Sequence, residues 1–262
     1  MLEIQGISKT FNPGTVNEKV AIQDLSLTLN DGDFVTVIGG NGAGKSTLLN
    51  LIAGVFPVDC GSIRLNGREL TRLPEYKRAK YLGRVFQDPM TGTAATMNIE
   101  ENLALAARRG QRRTLGWGVT RKEQAEFRTR LSSLELGLED RMTSKVGLLS
   151  GGQRQALTLL MASLQRPELL LLDEHTAALD PKTAAKVLAL SDEIIREGNL
   201  TAMMITHNMR DALAYGNRLI MMDAGHVALD VSGEEKKKLT VQDLMNAFSQ
   251  ASSFASDRTL LS

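Results

Sequence analysis

Apolar and polar side chains alternate around Leu2, Ile4 and Ile7 and again from Val20 to Leu29, with the turn-rich run Asn12-Pro13-Gly14 between the two stretches. A period of two marks half-buried strands, so the pattern predicts a small antiparallel β-layer. Residues Asp33 to Ile38 form a β-branched run that glycines end abruptly, which predicts a buried strand rather than a helix. A helix is expected from about Lys45 to Ala53, stopping at Gly54. From about Gln87 to Arg166 the pattern turns helical: Glu100-Glu101-Asn102-Leu103 opens one segment, and the charge-rich stretch from Arg121 to Leu136 gives another. A strand is then expected over Glu168 to Asp173, a helix over Pro181 to Glu197 and a strand over Thr201 to Thr206. On that helix Val187, Leu188, Ser191, Ile194 and Ile195 fall on one stripe, and Pro181 sits where the first turn tolerates it. Strand, helix, strand in this order implies a right-handed parallel crossover. After Gly233 there remain the basic run Lys236-Lys237-Lys238 and a short amphipathic segment, too little for a separate regulatory domain.

The length of 262 residues fits one large α/β domain with a subdomain inserted. The expected division is an α/β core with a β-subdomain from residues 1–86 and 167–233, a helical subdomain at 87–166, and a C-terminal tail at 234–262. A hydrophobic fraction of 42% and a charged fraction of 23% are those of an ordinary globular protein. The formal net charge of +1 gives no electrostatic reason to expect nucleic acid or an anionic membrane surface as a partner. The longest apolar runs, such as Leu169 to Leu172, fall far short of the roughly 18 residues of a membrane span, and the start MLEIQGISKTF lacks a secretory pattern. Membrane attachment is therefore expected to come through a protein partner. The single cysteine, Cys60, suits a reducing cytosol and reads as a buried small hydrophobe. Residues Arg108 to Arg121, rich in arginine and glycine and carrying the one tryptophan, Trp117, read as a solvated connecting loop, because aromatics are not interleaved with the charges.

Two short segments carry chemistry. Gly39-Gly40-Asn41-Gly42-Ala43-Gly44-Lys45-Ser46-Thr47 meets the pattern G-x-x-x-x-G-K-[ST] between an expected strand and an expected helix. Glycines let the backbone wrap close enough to point amides at phosphate oxygens, and the following helix offers its positive end to the same anion. Lys45 is placed to reach the β- and γ-phosphates, and the Ser46 hydroxyl to ligate Mg²⁺. The second segment is the apolar strand ending in Asp173-Glu174, which delivers two carboxylates at the strand edge where open α/β sheets bind ligands. Asp173 is suited to hold Mg²⁺ through its water shell and Glu174 to polarise the attacking water.

Leu149-Ser150-Gly151-Gly152-Gln153 matches the signature sequence of the ABC ATPases, and with it the chain resembles an ABC transporter ATP-binding subunit over nearly its whole length. Gln87 resembles the family's Q-loop glutamine, Ala178-Leu179-Asp180 its D-loop, His207 its switch histidine, and Phe11 the aromatic that stacks on adenine. The resemblance implies a P-loop NTPase core with an antiparallel β-subdomain and an inserted α-helical subdomain. It also implies an ATPase using ATP and Mg²⁺. The implied catalytic set is Lys45, Gln87, Glu174 and His207, with Ser46, Gln87 and Asp173 around the metal. Phe11, Gly39, Asn41, Gly42, Gly44, Lys45, Ser46, Thr47 and Gln87 would hold the nucleotide in one copy, and Ser150, Gly151, Gly152, Gln153 and Asp180 would serve across a head-to-tail dimer. Read physically, Ser150 and two glycines precede a helix from about Gln153 to Leu164, a second anion-binding helix start.

Further implications are a transmembrane permease on separate chains, an indirect link to an external solute-binding protein, and a peripheral place on the cytoplasmic side of the membrane. The segment Phe86 to Asn98 and the variant Asp173-Glu174-His175-Thr176 resemble an importer branch linked to tryptophan or tyrosine uptake. A soluble ABC ATPase of the iron–sulfur cluster assembly type and an exporter ATPase are the alternatives. Two positions depart from the family. His175 stands where Pro is usual and reads as a tolerated backbone variant beside the active site. Gly40 stands where Pro or Ser is commoner and is expected to loosen the loop without removing a ligand.

Overall fold

The first strand explains its own broken alternation. In the computed structural model, which describes residues 1–111 and 118–260 and side chains as far as Gln250, β1 (Leu2–Phe11) pairs antiparallel with β2 (Lys19–Leu29). Leu2, Ile4 and Ile7 are all buried, although the step from Ile4 to Ile7 is three residues. The register shifts between them, and Gly6 takes a positive φ of 56° there, so a bulge returns Ile7 to the inner face.

The chain continues through β3 (Phe34–Gly39), α1 (Lys45–Ala53), β4 (Cys60–Leu65), β5 (Arg68–Glu69) and α2 (Glu75–Arg78). There follow β6 (Leu82–Val85), α3 (Ile99–Ala107), α4 (Arg121–Ser132), α5 (Gly151–Ser163), β7 (Leu169–Asp173) and α6 (Pro181–Gly198). The last elements are β8 (Ala202–Ile205), α7 (Met209–Ala214), β9 (Arg218–Asp223), β10 (His226–Ser232), α8 (Gly233–Lys238) and α9 (Val241–Leu260). They divide into one unit of residues 1–78 with 201–262 and another of residues 79–200.

The first unit holds two sheets. One is antiparallel, ordered β2-β1-β4-β5. In the other, β3 pairs in parallel with β8 on one side and β9 on the other, and β9 pairs antiparallel with β10. Flanked on both edges, β3 is buried from Phe34 to Ile38, which is why its sequence runs apolar without alternating. Its one polar residue, Thr36, donates its hydroxyl to Ala212 O at 2.9 Å. Cys60 is exposed at the start of β4, contrary to the buried place expected of it, opposite Ser8 and past the register shift in β1, and burial along that strand begins only at Ser62. The tail is also more ordered than its basic run suggests. Lys236 is buried, with its ammonium donating to the carbonyls of Tyr215 and Gly216, while Lys237 and Lys238 face solvent.

The second unit pairs β6 with β7 in parallel, Leu82 opposite Leu169 and Val85 opposite Leu172. Its helices close on a core that includes Leu103, Phe127, Leu131, Val146 and Leu157. Local sequence sets their starts: Asn98 with Glu101, Thr120 with Glu123 and Ser150 with Gln153 each form a capping box. Helix α6 starts at the Asp180 cap with Pro181 next and ends at Asn199 in the left-handed region; Val187, Leu188, Ser191 and Ile195 form its buried stripe, with Ile194 half-buried. Trp117 and its flanking residues 112–116 lie outside the described residues. Among the described residues, no helix is long and apolar enough to cross a membrane.

Candidate nucleotide site

In the first unit the phosphate-loop sequence forms a loop between a buried strand and a helix. Gly39 ends β3 with φ of 153°, where a Cβ would stand 2.3 Å from Met222 O, and Gly44 caps α1 with φ of 100°, where a Cβ would meet Ala21 O at 2.6 Å. Both positions exclude a side chain twice over, by φ and by space. A glycine cap brings no side-chain oxygen to the first-turn amides of α1, which therefore face the loop as donors for an anion. Lys45 is buried, and its ammonium folds back into the loop, donating to Gly39 O at 2.8 Å and Gly40 O at 2.9 Å. Ser46 is exposed on the first turn and Thr47 half-buried beside it, while Asn41 and Gly42 are exposed on the loop. Lys19, on β2, puts its ammonium 3.5 Å from where a Gly42 Cβ would stand, a cation at the loop that the sequence pattern does not reveal.

The far end of α1 is held by another charge that sequence reasoning misses. Arg78 is 2% exposed and donates to Leu51 O at 2.7 Å, Ile52 O at 2.8 Å, Leu73 O at 2.7 Å and Thr71 O at 3.1 Å. Burial holds its pKa below the ordinary arginine value. A guanidinium on the last carbonyls of α1 complements the dipole whose positive end lies in the loop.

His207 follows β8 after one residue, Thr206, and is exposed. Val37 pairs with Ile205, so the loop after β3 and the segment carrying His207 leave the sheet at the same edge. Asn208 starts α7 by accepting from the amides of Arg210 and Asp211, which fixes the turn holding His207. Phe11 ends β1, half-buried, in edge contact with Phe56 at a centroid distance of 5.2 Å.

In the second unit β7 delivers Asp173 and Glu174. Arg84, on the neighbouring strand β6, stands 3.5 Å from Asp173 Oδ2 and lies over the Phe86 ring. Glu174 takes a φ of 47°, a left-handed backbone that is costly for a residue with a Cβ. The next residue anchors it. His175 is 2% exposed, and its Nε2 lies 2.9 Å from Ser191 Oγ on α6. Since Ser191 gives its own proton to Val187 O at 2.8 Å, the ring nitrogen is the donor, which sets the tautomer. Burial lowers the His175 pKa to about 4, so the ring is neutral near pH 7. His175 is thus more than a tolerated variant: it ties the Glu174 turn to α6.

Gln87 is exposed just beyond β6, and the carbonyl of the preceding Phe86 accepts from Gln155 Nε2 at 3.3 Å. Gln155 lies on α5, the helix that the signature opens, and is fully buried, so the signature helix and the glutamine loop are joined by a side chain outside either motif. At the start of α5 the Ser150 side chain accepts from the Gln153 amide, and Gln153 Oε1 accepts from the Ser150 amide. A Cβ on Gly152 would stand 2.2 Å from Thr183 Cγ2, so packing against α6 leaves no room there for a side chain, while one on Gly151 would press on Leu179 at 3.3 Å. Asp180 caps α6, and the hydrogen bonds from Thr183 hold its carboxyl below the usual range.

Among the described residues, no group of three or more histidine, cysteine or acidic side chains forms a metal cage. Ser46 in the first unit and Gln87 and Asp173 in the second each carry a hard oxygen donor of the kind that Mg²⁺ takes.

Comparison with known proteins points the same way. The family profile described as ABC transporter matches residues 22–177. The chain is 46% identical over 251 residues to a tyrosine transport ATP-binding protein of Clostridioides difficile, covering 96% of this chain and all of the relative. It is 36% identical to a phosphonates import ATP-binding protein of Rhodopseudomonas palustris, covering 88% of this chain and 81% of the relative. With the methionine import ATP-binding protein of Corynebacterium efficiens the identity is 34%, over 86% of this chain and 61% of the relative. A solved dimeric ATP-binding cassette, described as a post-hydrolysis state bound to ADP and Pi, superposes with a TM-score of 0.76 at 26% identity, covering 88% of this chain and 98% of the cassette.

Proposed function

Because the chain belongs to the ABC transporter ATP-binding family, we propose that its phosphate loop and paired carboxylates couple ATP hydrolysis to uptake of an aromatic amino acid such as tyrosine. The chain is an ATP-hydrolysing subunit that powers import through a separate permease. The names of its relatives favour import over export and over a soluble assembly factor. The finer reading, an aromatic amino acid delivered by an external solute-binding protein to a complex on the cytoplasmic side, is supported by the full-length likeness to the tyrosine relative.

The observation that carries the mechanism is the glycine-capped start of α1 with Lys45 folded into the loop. Phosphate oxygens take the place of the Gly39 and Gly40 carbonyls on the Lys45 ammonium, and the first-turn amides of α1 bind the same anion. Phe11 stacks on the adenine. Ser46 of the first unit and Gln87 and Asp173 of the second are the residues that would hold Mg²⁺, which would supply charge neutralisation on the phosphates. Glu174 accepts the proton of the attacking water, and His207 hydrogen-bonds the terminal phosphate. Ser150, Gly151, Gly152, Gln153 and Asp180 act on the nucleotide of a second copy, a reading supported by the dimeric form of the similar cassette solved with ADP and Pi.

The test is transport itself. In proteoliposomes containing the chain, its permease and its solute-binding protein, tyrosine, phenylalanine or tryptophan is expected to raise ATP turnover severalfold while methionine and phosphonate do not. Equal stimulation by methionine, or none by any aromatic amino acid, would refute the substrate class.

A further inference from the structure

Gly40 is a glycine for which the backbone gives no reason. Its neighbours Gly39, Gly42 and Gly44 all sit at positive φ, whereas Gly40 does not, so an L-residue could adopt its conformation. What excludes a side chain there is an aromatic ring from the other end of the chain. A Cβ on Gly40 would stand 2.9 Å from Phe248 Cζ, 3.7 Å from Cε2 and 3.9 Å from Cε1. The tip of the Phe248 ring therefore rests on the Gly40 backbone.

The ring is held there by the packing of α9. Leu244, one turn before Phe248 and on the same helix face, is fully buried with Ile38, Ala212, Leu219 and Met221, and Ala247 and Phe248 pack against that cluster. Ile38 is the residue that leads β3 into the phosphate loop. The start of α9 is fixed by Thr240 and Asp243, whose side chains each accept from the other's backbone amide at 3.2 and 2.8 Å. On its other side, the Gly40 peptide presents its carbonyl to the Lys45 ammonium and, at 3.2 Å, to the Ala43 amide. Phe248, Gly40 and Lys45 thus form one continuous stack from the C-terminal helix to the phosphate-binding ammonium.

A loop this rich in glycine must be ordered before it can bind, and each backbone residue fixed costs conformational entropy. We propose that Phe248 is a positioning residue for nucleotide binding: through its contact with Gly40 the C-terminal helix holds the phosphate loop in its binding shape. The inference rests on the reading of residues 39–47 as the phosphate loop. It also accounts for glycine at a position where the family more often has proline or serine, since either side chain would strike the ring.

The experiment is a double-mutant cycle on the full chain, reading ATP affinity by calorimetry and KM and kcat by steady-state turnover, with thermal unfolding followed in parallel. Phe248→Ala is expected to weaken ATP binding about five- to thirtyfold, the scale of ordering one loop residue, with the loss falling in KM more than in kcat. Phe248→Leu, which keeps apolar bulk, is expected to recover part of it. Gly40→Ser should weaken ATP binding in the native background, and adding Phe248→Ala should restore it, because the space that the serine needs is then open. Native affinity in Phe248→Ala, or a Gly40→Ser loss of the same size with and without Phe248, would overturn the proposal. Lys45→Ala serves as the separate arm: unchanged ATP binding there would remove the loop assignment, whereas lost binding there together with native binding in Phe248→Ala would remove only the role of the helix.

Discussion

At the scale of single residues, the turn after β7 concentrates cost and compensation. Glu174 is placed by a left-handed backbone that costs on the order of 1–3 kcal/mol, and the His175–Ser191 hydrogen bond holds the turn from its buried side. Ser191→Ala leaves the His175 donor buried without its acceptor and is expected to destabilise the fold by about 1–3 kcal/mol, measurable as a lowered urea midpoint. The same histidine gives a pH signature. Its folded pKa of about 4 lies below the ordinary value of 6.5, so between those values the unfolded chain binds the extra proton. Stability is therefore lost as pH falls through that window, by at most about 1.4 kcal/mol per pH unit from this group. Comparing denaturant midpoints of the native chain and His175→Gln from pH 7 to pH 4 isolates the contribution: the native chain should lose more stability on acidification than the variant.

Helix α1 is the element on which the proposed chemistry depends, and its two ends are treated oppositely. The N-terminal end is capped by a glycine and left to an anion, while at the C-terminal end Arg78 donates to the carbonyls of Leu51 and Ile52 and ties them to those of Thr71 and Leu73. Gly54, which ends the helix, must lack a side chain because a Cβ would meet Arg78 Nε at 2.6 Å. Arg78→Met would fill much of the volume yet leave buried carbonyls unpaired, and is expected to cost about 3 kcal/mol. Arg78→Lys should restore little of it, since an ammonium cannot present a planar fork to carbonyls on three sides. Thermal unfolding of the two variants checks this: recovery by lysine to the native midpoint would show that charge alone matters. The signature helix α5 has the reverse design, with its start closed by Ser150 and Gln153 and its body tied through Gln155 to the carbonyl before Gln87.

For the whole molecule, the proposed unit of action is a head-to-tail dimer, a reading supported by the dimeric form of a similar solved cassette. Glu174→Gln is expected to keep ATP binding, to reduce turnover at least a hundredfold and to accumulate a dimer in ATP. Ser150→Arg, which places a cation and bulk at the start of α5, should bind ATP as a monomer yet fail to dimerise. Light scattering with and without ATP distinguishes the two; ATP-induced dimers of Ser150→Arg would argue against the trans role of the signature.

What the sequence determined by itself is whatever depends on neighbours within about four residues. The phosphate loop, the three capping boxes, the Asp180-Pro181 helix start and the alternation of β2 are of this kind, because backbone dihedrals and capping hydrogen bonds are short-range. Only the tertiary structure decided that Phe248 lies on Gly40, that Arg78 and Lys19 approach the two ends of the phosphate-loop helix, that His175 is an anchor, and that Cys60 is exposed while Lys236 is buried. Each of those facts depends on which distant segments the core brings together, and pattern along the chain does not encode the partner across a packed interface. Gly40 and His175 did mark themselves in sequence as departures from a family pattern; the physical cause of each became legible only when the side chain opposite it was in view.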